Sequence, residues 1–465
     1  MKTLIVFALS LAVYGQPALE SLNPRVQQVV DAVSPDRIAA VLQKLESFGT
    51  RNPHSSTDDP QHGTGAARRW IIEQLRSYSP RLEVREDRHA VKKGGRFVRD
   101  LDIVNIVAIL PGTTQKDRHV IVSGHYDSMV IVRKKEAAAD PDAPLTQTAD
   151  WDATANAPIA PGVSDDASGT AVTMELARVM SQREWNKTLV FIAFDAEEEG
   201  LVGSTRFADE AKKAAMTIDG VLNNDIVGND VGGSGKKESS RVYVFSDDPA
   251  DGPSRSLARF IHDTSARYVP SMTVDLVFRP DRFSRGGDHT PMNNAGYPAV
   301  RFTTEAENYA NQHTVTDSFA NASLEYTASV ARVNGAAAAA LALAPAAPDV
   351  TREVKTGVNK GRRVANLGRG KSGYDAVLKW TAPADAQDIA GYVVAVRRTT
   401  APLWEREIYV GNVTEYTLKN TSIDDVVLGV KSVDKDGDES PVAAYALPAR
   451  MNFEGVTPAQ DKPEK

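Results

Sequence analysis

Leu189-Val190-Phe191-Ile192-Ala193-Phe194-Asp195-Ala196-Glu197-Glu198-Glu199-Gly200 is the stretch on which the fold turns. The apolar run Leu189 to Ala193 reads as a buried strand, and carboxylates follow it at once. Acids grouped at such a strand end repel one another and are costly to desolvate, so the run predicts a cation beside them. Of Glu197 and Glu198, one side chain can hold a metal while its neighbour takes a proton from bound water. Glu199 is expected in solvent.

Outward from this strand the pattern alternates. Val26, Val29, Val30 and Val33, then Ile38, Val41, Leu42 and Leu45, have helical spacing within a helical region from Leu22 to Ser79. Ala66 to Tyr78 is a further helix after a loop with Asn52, Pro53 and Gly63. Leu82–His89 and Asp102–Leu110 are expected as a strand pair, and Val120 to Val122 as a central strand. A helix over Ala167–Trp185 and strands at Leu189–Phe194, Asp219–Asp225, Val242–Phe245 and Ala299–Thr303 continue the series. The fold class is therefore α/β, a mostly parallel central sheet covered by helices on both faces.

The Ala/Pro stretch Ala344-Pro345-Ala346-Ala347-Pro348 marks a linker, placed at 344–350. Short strands separated by turns then fill 351–450, as in a small C-terminal β-sandwich. Asp434-Lys435-Asp436-Gly437-Asp438 is read there as a hairpin turn rather than a calcium loop. This unit is open to three roles: binding a surface, shielding the site, or serving as a removable appendage. Residues 451–465 are expected as a flexible tail.

At the other end, Met1-Lys2, the apolar segment Leu4 to Val13 and small residues at Gly15 and Ala18 predict a signal peptide over 1–18. The large α/β unit then covers 19–343. The 465 residues contain no cysteine, so no thiol nucleophile, thiolate ligand or lipoprotein anchor is available. A secreted or periplasmic location is expected, with any metal held by His, Asp and Glu. A formal net charge of −7 argues against nucleic-acid binding. No later apolar run is long enough for a transmembrane anchor. Oligomeric state is not encoded in these patterns.

Five segments at strand ends carry candidate ligands. Besides the opening one they are Val122-Ser123-Gly124-His125-Tyr126-Asp127, Pro161-Gly162-Val163-Ser164-Asp165-Asp166-Ala167-Ser168-Gly169, Leu222-Asn223-Asn224-Asp225, and Asn308-Tyr309-Ala310-Asn311-Gln312-His313-Thr314. An imidazole at a buried strand end can ligate while Asp127 orients it. Two consecutive Asp residues exceed what a helix cap needs, so one is free to reach outward. The carboxyl ends of strands are where open α/β sheets bind ligands. No Gly-x-Ser-x-Gly elbow supports serine hydrolysis.

Taken together, His125-x-Asp127, Gly162-x-x-Asp165-Asp166-x-Ser168-Gly169, Ala196-Glu197-Glu198-x-Gly200, Asp225 and His313 resemble the secreted zinc aminopeptidase family with co-catalytic zinc. Bacterial leucyl aminopeptidases and plasma glutamate carboxypeptidase belong to it. The resemblance runs from about Val41 to Ala340 and includes Asp288-His289; the C-terminal unit resembles a fibronectin type III-like domain. It implies two Zn²⁺ bridged by Asp165, one completed by His125 and Asp225, the other by Glu198 and His313. Glu197 matches the general base and Asp127 the partner of His125.

The implied function is an exported aminopeptidase acting on peptides. A carboxypeptidase or dipeptidase preferring acidic substrates is the alternative within this chemistry, a glutaminyl cyclase-like transferase being less favoured. A catalytically inactive binding protein is the alternative outside it. One departure concerns the Tyr, flanked by Cys, that helps hold the oxyanion in some bacterial members. Here Arg282 to His289 contains neither. Arg285 or Tyr309 can stand in for it, or lie in solvated loops. Arg301 is expected to meet a substrate carboxylate, or else to pair with Glu305 or Glu307. The acidic segment from Met129 to Ala160, carrying Trp151, is either a rim of the cleft or a surface excursion.

Overall fold

The computed structural model describes residues 22–135, 147–247, 251–356, 360–384 and 386–446. The expected signal peptide, the 451–465 tail and residues 136–146 of the Met129–Ala160 segment lie outside the described residues.

Three helices come first: α1 (Pro24–Ala32), α2 (Pro35–Glu46) and α3 (Gly63–Tyr78). Asn23 and Ser34 cap the first two by accepting the amides of Arg25 and Arg37, and each has proline in its first turn. The valines, Ile38 and the leucines with helical spacing face inward in both.

The strands β1 (Glu83–Val91), β2 (Leu101–Leu110) and β3 (Gln115–His125) follow, then a short pair β4 (Arg133–Lys135) and β5 (Gln147–Ala149) and the helix α4 (Trp151–Ala155). Next come α5 (Ser168–Met180), β6 (Lys187–Phe194), α6 (Val202–Lys213), β7 (Thr217–Asn224) and β8 (Arg241–Ser246). The series closes with α7 (Pro253–Tyr268), β9 (Thr273–Val277), α8 (His289–Ala295), β10 (Ala299–Thr304) and α9 (Leu324–Leu343). One eight-stranded sheet has the order β1-β2-β6-β3-β7-β10-β8-β9. Its centre, β6-β3-β7-β10, is parallel throughout. The β1-β2, β2-β6 and β10-β8 pairs are antiparallel.

Strand alternation feeds a core on each face. Leu189, Phe191 and Ala193 of β6 join the core under α1, α2, α3, α5, α7 and α9. Val190, Ile192 and Phe194 join the core under α6 and α8. Burying a side chain such as Phe191 contributes about 1.5–3 kcal/mol.

The helix expected to reach Trp185 ends at Met180, because Trp185 folds back and donates its Nε1–H to the Met180 carbonyl at 2.9 Å. β3 is longer than its apolar stretch, taking in polar Gln115 to His119 and buried Ser123 to His125. The edge strand β9 and helix α7 were not predicted. Each mixes polar with apolar residues, so neither gives a continuous apolar run.

The C-terminal strands form antiparallel sheets around their own core, which contains Leu378, Trp380, Tyr392, Val394 and Val430. Asp434 to Asp438 is a hairpin turn: Val433 bridges Glu439, and Gly437 takes a φ of +87°. The unit is tied to the α/β part at several points. Asn23 Nδ2 donates to Asp438 Oδ1 at 2.9 Å, and Arg259 of α7 donates to the Pro402 carbonyl at 2.7 Å. Asp251 accepts both Arg259 and Arg397, whose guanidinium groups also lie over the Trp404 ring.

At the amino ends of the central strands a buried ion pair locks the sheet. Lys187 Nζ lies 2.7 Å from Asp219 Oδ2 and donates to the Leu341 carbonyl of α9 at 2.8 Å. Against burial, which raises it, the Lys187 ammonium and Arg118 guanidinium hold the Asp219 carboxyl below its ordinary range. Asp219→Ala strands the ammonium in the core. It is expected to cost about 3–5 kcal/mol of unfolding free energy, read from denaturant melts of both proteins.

Candidate metal centre

The parallel strands deliver their carboxyl ends to one place. His125 ends β3, Glu197 and Glu198 follow β6, Asp225 follows β7, and His313 comes from the loop after β10. Asp165 enters from the turn before α5. β3 lies between β6 and β7, so the chain leaves it to one side and crosses back to the other, a switch point where such sheets bind ligands.

Asp165 stands between the two imidazoles. Its Oδ1 lies 3.3 Å from His125 Nε2 and its Oδ2 lies 3.2 Å from His313 Nε2, while Glu198 Oε2 is 3.0 Å from the same His313 nitrogen. Donor atoms of Asp165, Glu198 and His313 all lie within 4.8 Å of one another, and so do those of His125, Glu197 and Asp225. Glu197 is half-buried, whereas Asp165, Glu198 and Asp225 are buried. All four line the cleft, and Glu197 is the most exposed of them.

The pair of aspartates divides as its sequence suggested, with one turned outward. Asp166 points into the protein and accepts the amides of His125 (3.1 Å), Gly169 (2.8 Å) and Ile226 (3.3 Å). Gly169 leaves room for this, since a Cβ there would meet the Asn224 carbonyl at 2.2 Å and Asp166 Oδ2 at 2.4 Å. Asp165, freed from backbone work, faces the imidazoles. Asp127 is wholly buried; its Oδ1 lies 3.3 Å from His125 Nδ1 and accepts the Glu197 amide at 3.2 Å, and its Oδ2 accepts the Glu198 amide at 3.2 Å.

The electrostatics call for a cation. Burial first, then neighbouring carboxylates, pushes Glu197 well above the ordinary range and raises Glu198 and Asp225. Burial opposes it, but the two imidazoles hold Asp165 well below its usual value. The Glu198 carboxylate is the main cause of a His313 pKa raised to about 11. His125 Nε2 and Glu198 Oε1 are buried without a hydrogen-bond partner. Unpartnered nitrogen and oxygen atoms converging on one point, with excess carboxylate, fit a divalent metal such as zinc.

The remaining candidates separate. Arg285 lines the cleft and pairs with Glu307 at 3.0 Å, while exposed Tyr309 lies with its ring 5.8 Å from that guanidinium. Arg301 lies among the residues lining the cleft, buried, and holds Asp225 at 2.9 Å and Asp281 at 3.0 Å rather than Glu305 or Glu307. Glu199, expected in solvent, is buried beside Asn52 and His54, because the turn after Glu198 carries it under the rim. Trp151 meets Arg96 at the cleft, 4.9 Å from ring centroid to guanidinium, so the described part of the Met129–Ala160 segment borders the site.

Sequence reasoning missed Asp317 and Arg51. Asp317 accepts the amides of Ser164 (2.8 Å) and Asp165 (3.0 Å), fixing the turn that presents Asp165. Arg51, buried, donates to the carbonyls of Tyr126 and Pro161 at 2.7 Å and Gly162 at 2.8 Å. No local pattern marks either; Asn52-Pro53 beside Arg51 signals only a loop.

Asp127→Ala removes the carboxylate beside His125 and the acceptor of the Glu197 and Glu198 amides together, leaving His125 Nδ1 only the main-chain carbonyl of residue 127 at 3.2 Å. It is expected to weaken divalent-cation binding by about 10–100-fold, measured by competition with a chromogenic chelator.

Residues 105–338 match the family model described as Peptidase family M28. A probable zinc metalloprotease of Pyricularia oryzae is 37% identical, the match covering 92% of this chain and 84% of that protein. A probable zinc metalloprotease of Leptosphaeria maculans is 34% identical over 91% of this chain and 97% of its own. Among solved structures, the LapA aminopeptidase of Legionella pneumophila shares the fold at 19% identity and a TM-score of 0.50, covering 69% of this chain and 75% of that one. With a family match centred on the segments that build the site, and relatives matching nearly its whole length, the chain belongs to peptidase family M28.

Proposed function

We propose that this chain is a zinc-dependent aminopeptidase with two zinc ions and Glu197 as general base. The observation that carries the reading is Asp165, whose two oxygens each face a different imidazole at 3.3 and 3.2 Å. One carboxylate shared by two donor groups is the arrangement that two adjacent cations require. The fungal relatives, named as probable zinc metalloproteases, point the same way.

His125, Asp165, Asp225, Glu198 and His313 would hold the ions. When bound, zinc supplies Lewis acidity and brings the pKa of water towards neutrality. Asp127 fixes the His125 ring through Nδ1, so that Nε2 faces inward. The Glu197 side chain takes a proton from the attacking water and returns it to the departing amine. Export of the chain, and a fibronectin type III-like character for the C-terminal sheets, belong to the same proposal and rest on the sequence patterns.

A second reading has its own observation. The cleft, about 270 Å³, is lined by Arg96, Arg282 and Arg285, and Leu201 is the one large apolar side chain among its described lining residues. That wall suits a carboxylate better than an aliphatic side chain. It favours a carboxypeptidase or dipeptidase, or an aminopeptidase for acidic residues.

Glu197→Gln is expected to keep its metal and lose about 10²–10⁴-fold in rate; near wild-type turnover would remove Glu197 as the base. Free-amine and N-blocked peptides, each with and without a C-terminal carboxylate, are to be assayed before and after chelation and zinc return. The proposal expects free-amine substrates to be cleaved only with zinc. Cleavage confined to N-blocked peptides overturns the aminopeptidase assignment, and chelator-resistant cleavage overturns the metal mechanism. Arg285→Met is expected to raise KM about 10–150-fold for substrates bearing the recognised carboxylate, the loss of a charged hydrogen bond of about 1.5–3 kcal/mol. Equal KM for acidic and neutral substrates in both proteins counts against the second reading.

A further inference from the structure

A second convergence of ligand atoms lies away from the cleft, on the outer edge of the sheet. Asp87 and His89 are two residues apart on β1, so both side chains project from the same face of that strand. Glu210 reaches them from α6. One donor atom from each of the three lies within 4.8 Å of the other two. β1 is the edge strand, separated from β6 by β2, and none of the three residues belongs to the centre described above.

The local geometry repeats a feature of that centre. His89 Nε2 is 3.1 Å from Asp87 Oδ2, yet the nitrogen is buried and makes no hydrogen bond. In the catalytic cleft His125 Nε2 stands in the same relation to Asp165 Oδ1, at 3.3 Å and equally unpartnered. At 3.1 Å the His89 and Asp87 atoms are close but not aligned as donor and acceptor, so the buried nitrogen is left without a hydrogen bond. In an ordinary His–Asp pair the ring N–H would be aimed at the carboxylate.

Asp87 is also held as ligating carboxylates are. Asn105 Nδ2 donates to Asp87 Oδ2 at 2.9 Å and to the Gly203 carbonyl at 3.0 Å, and Asn105 Oδ1 accepts the Asp195 amide at 3.1 Å. Such outer support fixes a ligand before the metal arrives. Asp87 lies 3.1 Å from Nε2 of the His89 ring and Glu210 lies 3.9 Å from its Nδ1; two carboxylates around one imidazole leave negative charge that a divalent cation cancels, and mixed nitrogen and oxygen donors suit zinc. The Glu210 side chain is 64% exposed, which leaves solvent to complete the coordination.

We propose that Asp87, His89 and Glu210 form an additional zinc site, independent of the catalytic centre. Metal-free full-length protein is titrated with Zn²⁺ against a fluorescent chelator, and bound zinc is counted by mass spectrometry after gel filtration. His89→Ala is expected to bind one zinc equivalent fewer than the wild type. Glu210→Gln, changed at an exposed helix position, is expected to keep the fold by circular dichroism and to take up that same equivalent only at higher free zinc. Cobalt substitution gives a second readout, with His89→Ala losing part of the visible absorption of the wild type. A Glu210→Gln titration that superimposes on the wild type overturns the site, whether or not His89→Ala folds. Equal zinc counts in folded His89→Ala and wild type overturn it as well.

Discussion

One buried carboxylate sets the geometry of the catalytic end. Asp127 touches the ring of His125 and the backbone amides of both Glu197 and Glu198, so it ties the end of β3 to the turn after β6. Hydrogen bonds to a charged acceptor contribute about 1.5–3 kcal/mol each and are directional. They also decide which atoms face the cleft. With Nδ1 taken by Asp127, His125 has only Nε2 to offer, and with their amides taken, the two glutamates must send their side chains outward. Asp166 and Asp317 act likewise on the neighbouring turn. The site is thus two tiers of carboxylates. The inner tier is satisfied by backbone amides, and the outer tier keeps buried atoms without a hydrogen bond, His125 Nε2 and Glu198 Oε1.

The outer tier was legible in the sequence because of its position. A carboxylate or imidazole at the end of a buried strand is out of place in a core, and His125, the Glu197-Glu198 pair and Asp225 stood out that way; Asp165 stood out as one of two aspartates where a helix cap needs one, and His313 as an imidazole in a polar loop. The parallel sheet was equally legible, since apolar runs such as Leu189–Ala193 leave little choice. The inner tier was only half visible. Asp127 was found through its spacing from His125, whereas Asp317 and Arg51 act across more than a hundred residues and leave no local trace. The solvent position of Glu199 and the pairing of Arg301 with Glu305 or Glu307 were misjudged for one reason: the partners of a buried charge, such as Asp281, are brought near only by folding.

Buried arginines perform a further service. Arg51 is wholly enclosed, and burial lowers it to about 10. Its planar fork meets several loop carbonyls at once, which a lysine in the same place could not do. It thereby joins the loops carrying Tyr126 and Gly162, one on each side of the metal ligands. Arg301, itself buried, balances the Asp225 carboxylate at 2.9 Å. The acidic centre is therefore bordered by fixed positive charge that does not itself supply ligand atoms.

The bond between Asn23 and Asp438 joins residues at opposite ends of the described chain. Asn23 is at the same time the cap of the first helix and donates its own amide to Tyr268 of α7. The C-terminal sheets therefore close a ring rather than hang from a tether. Cutting at the linker would open that ring in three places: it would release the start of α1, leave Arg259 without its carbonyl at Pro402, and bare the Trp404-covered side of α7. In mechanical terms the unit is a clasp, and fraying at Asn23 or at Asp438 loosens the other.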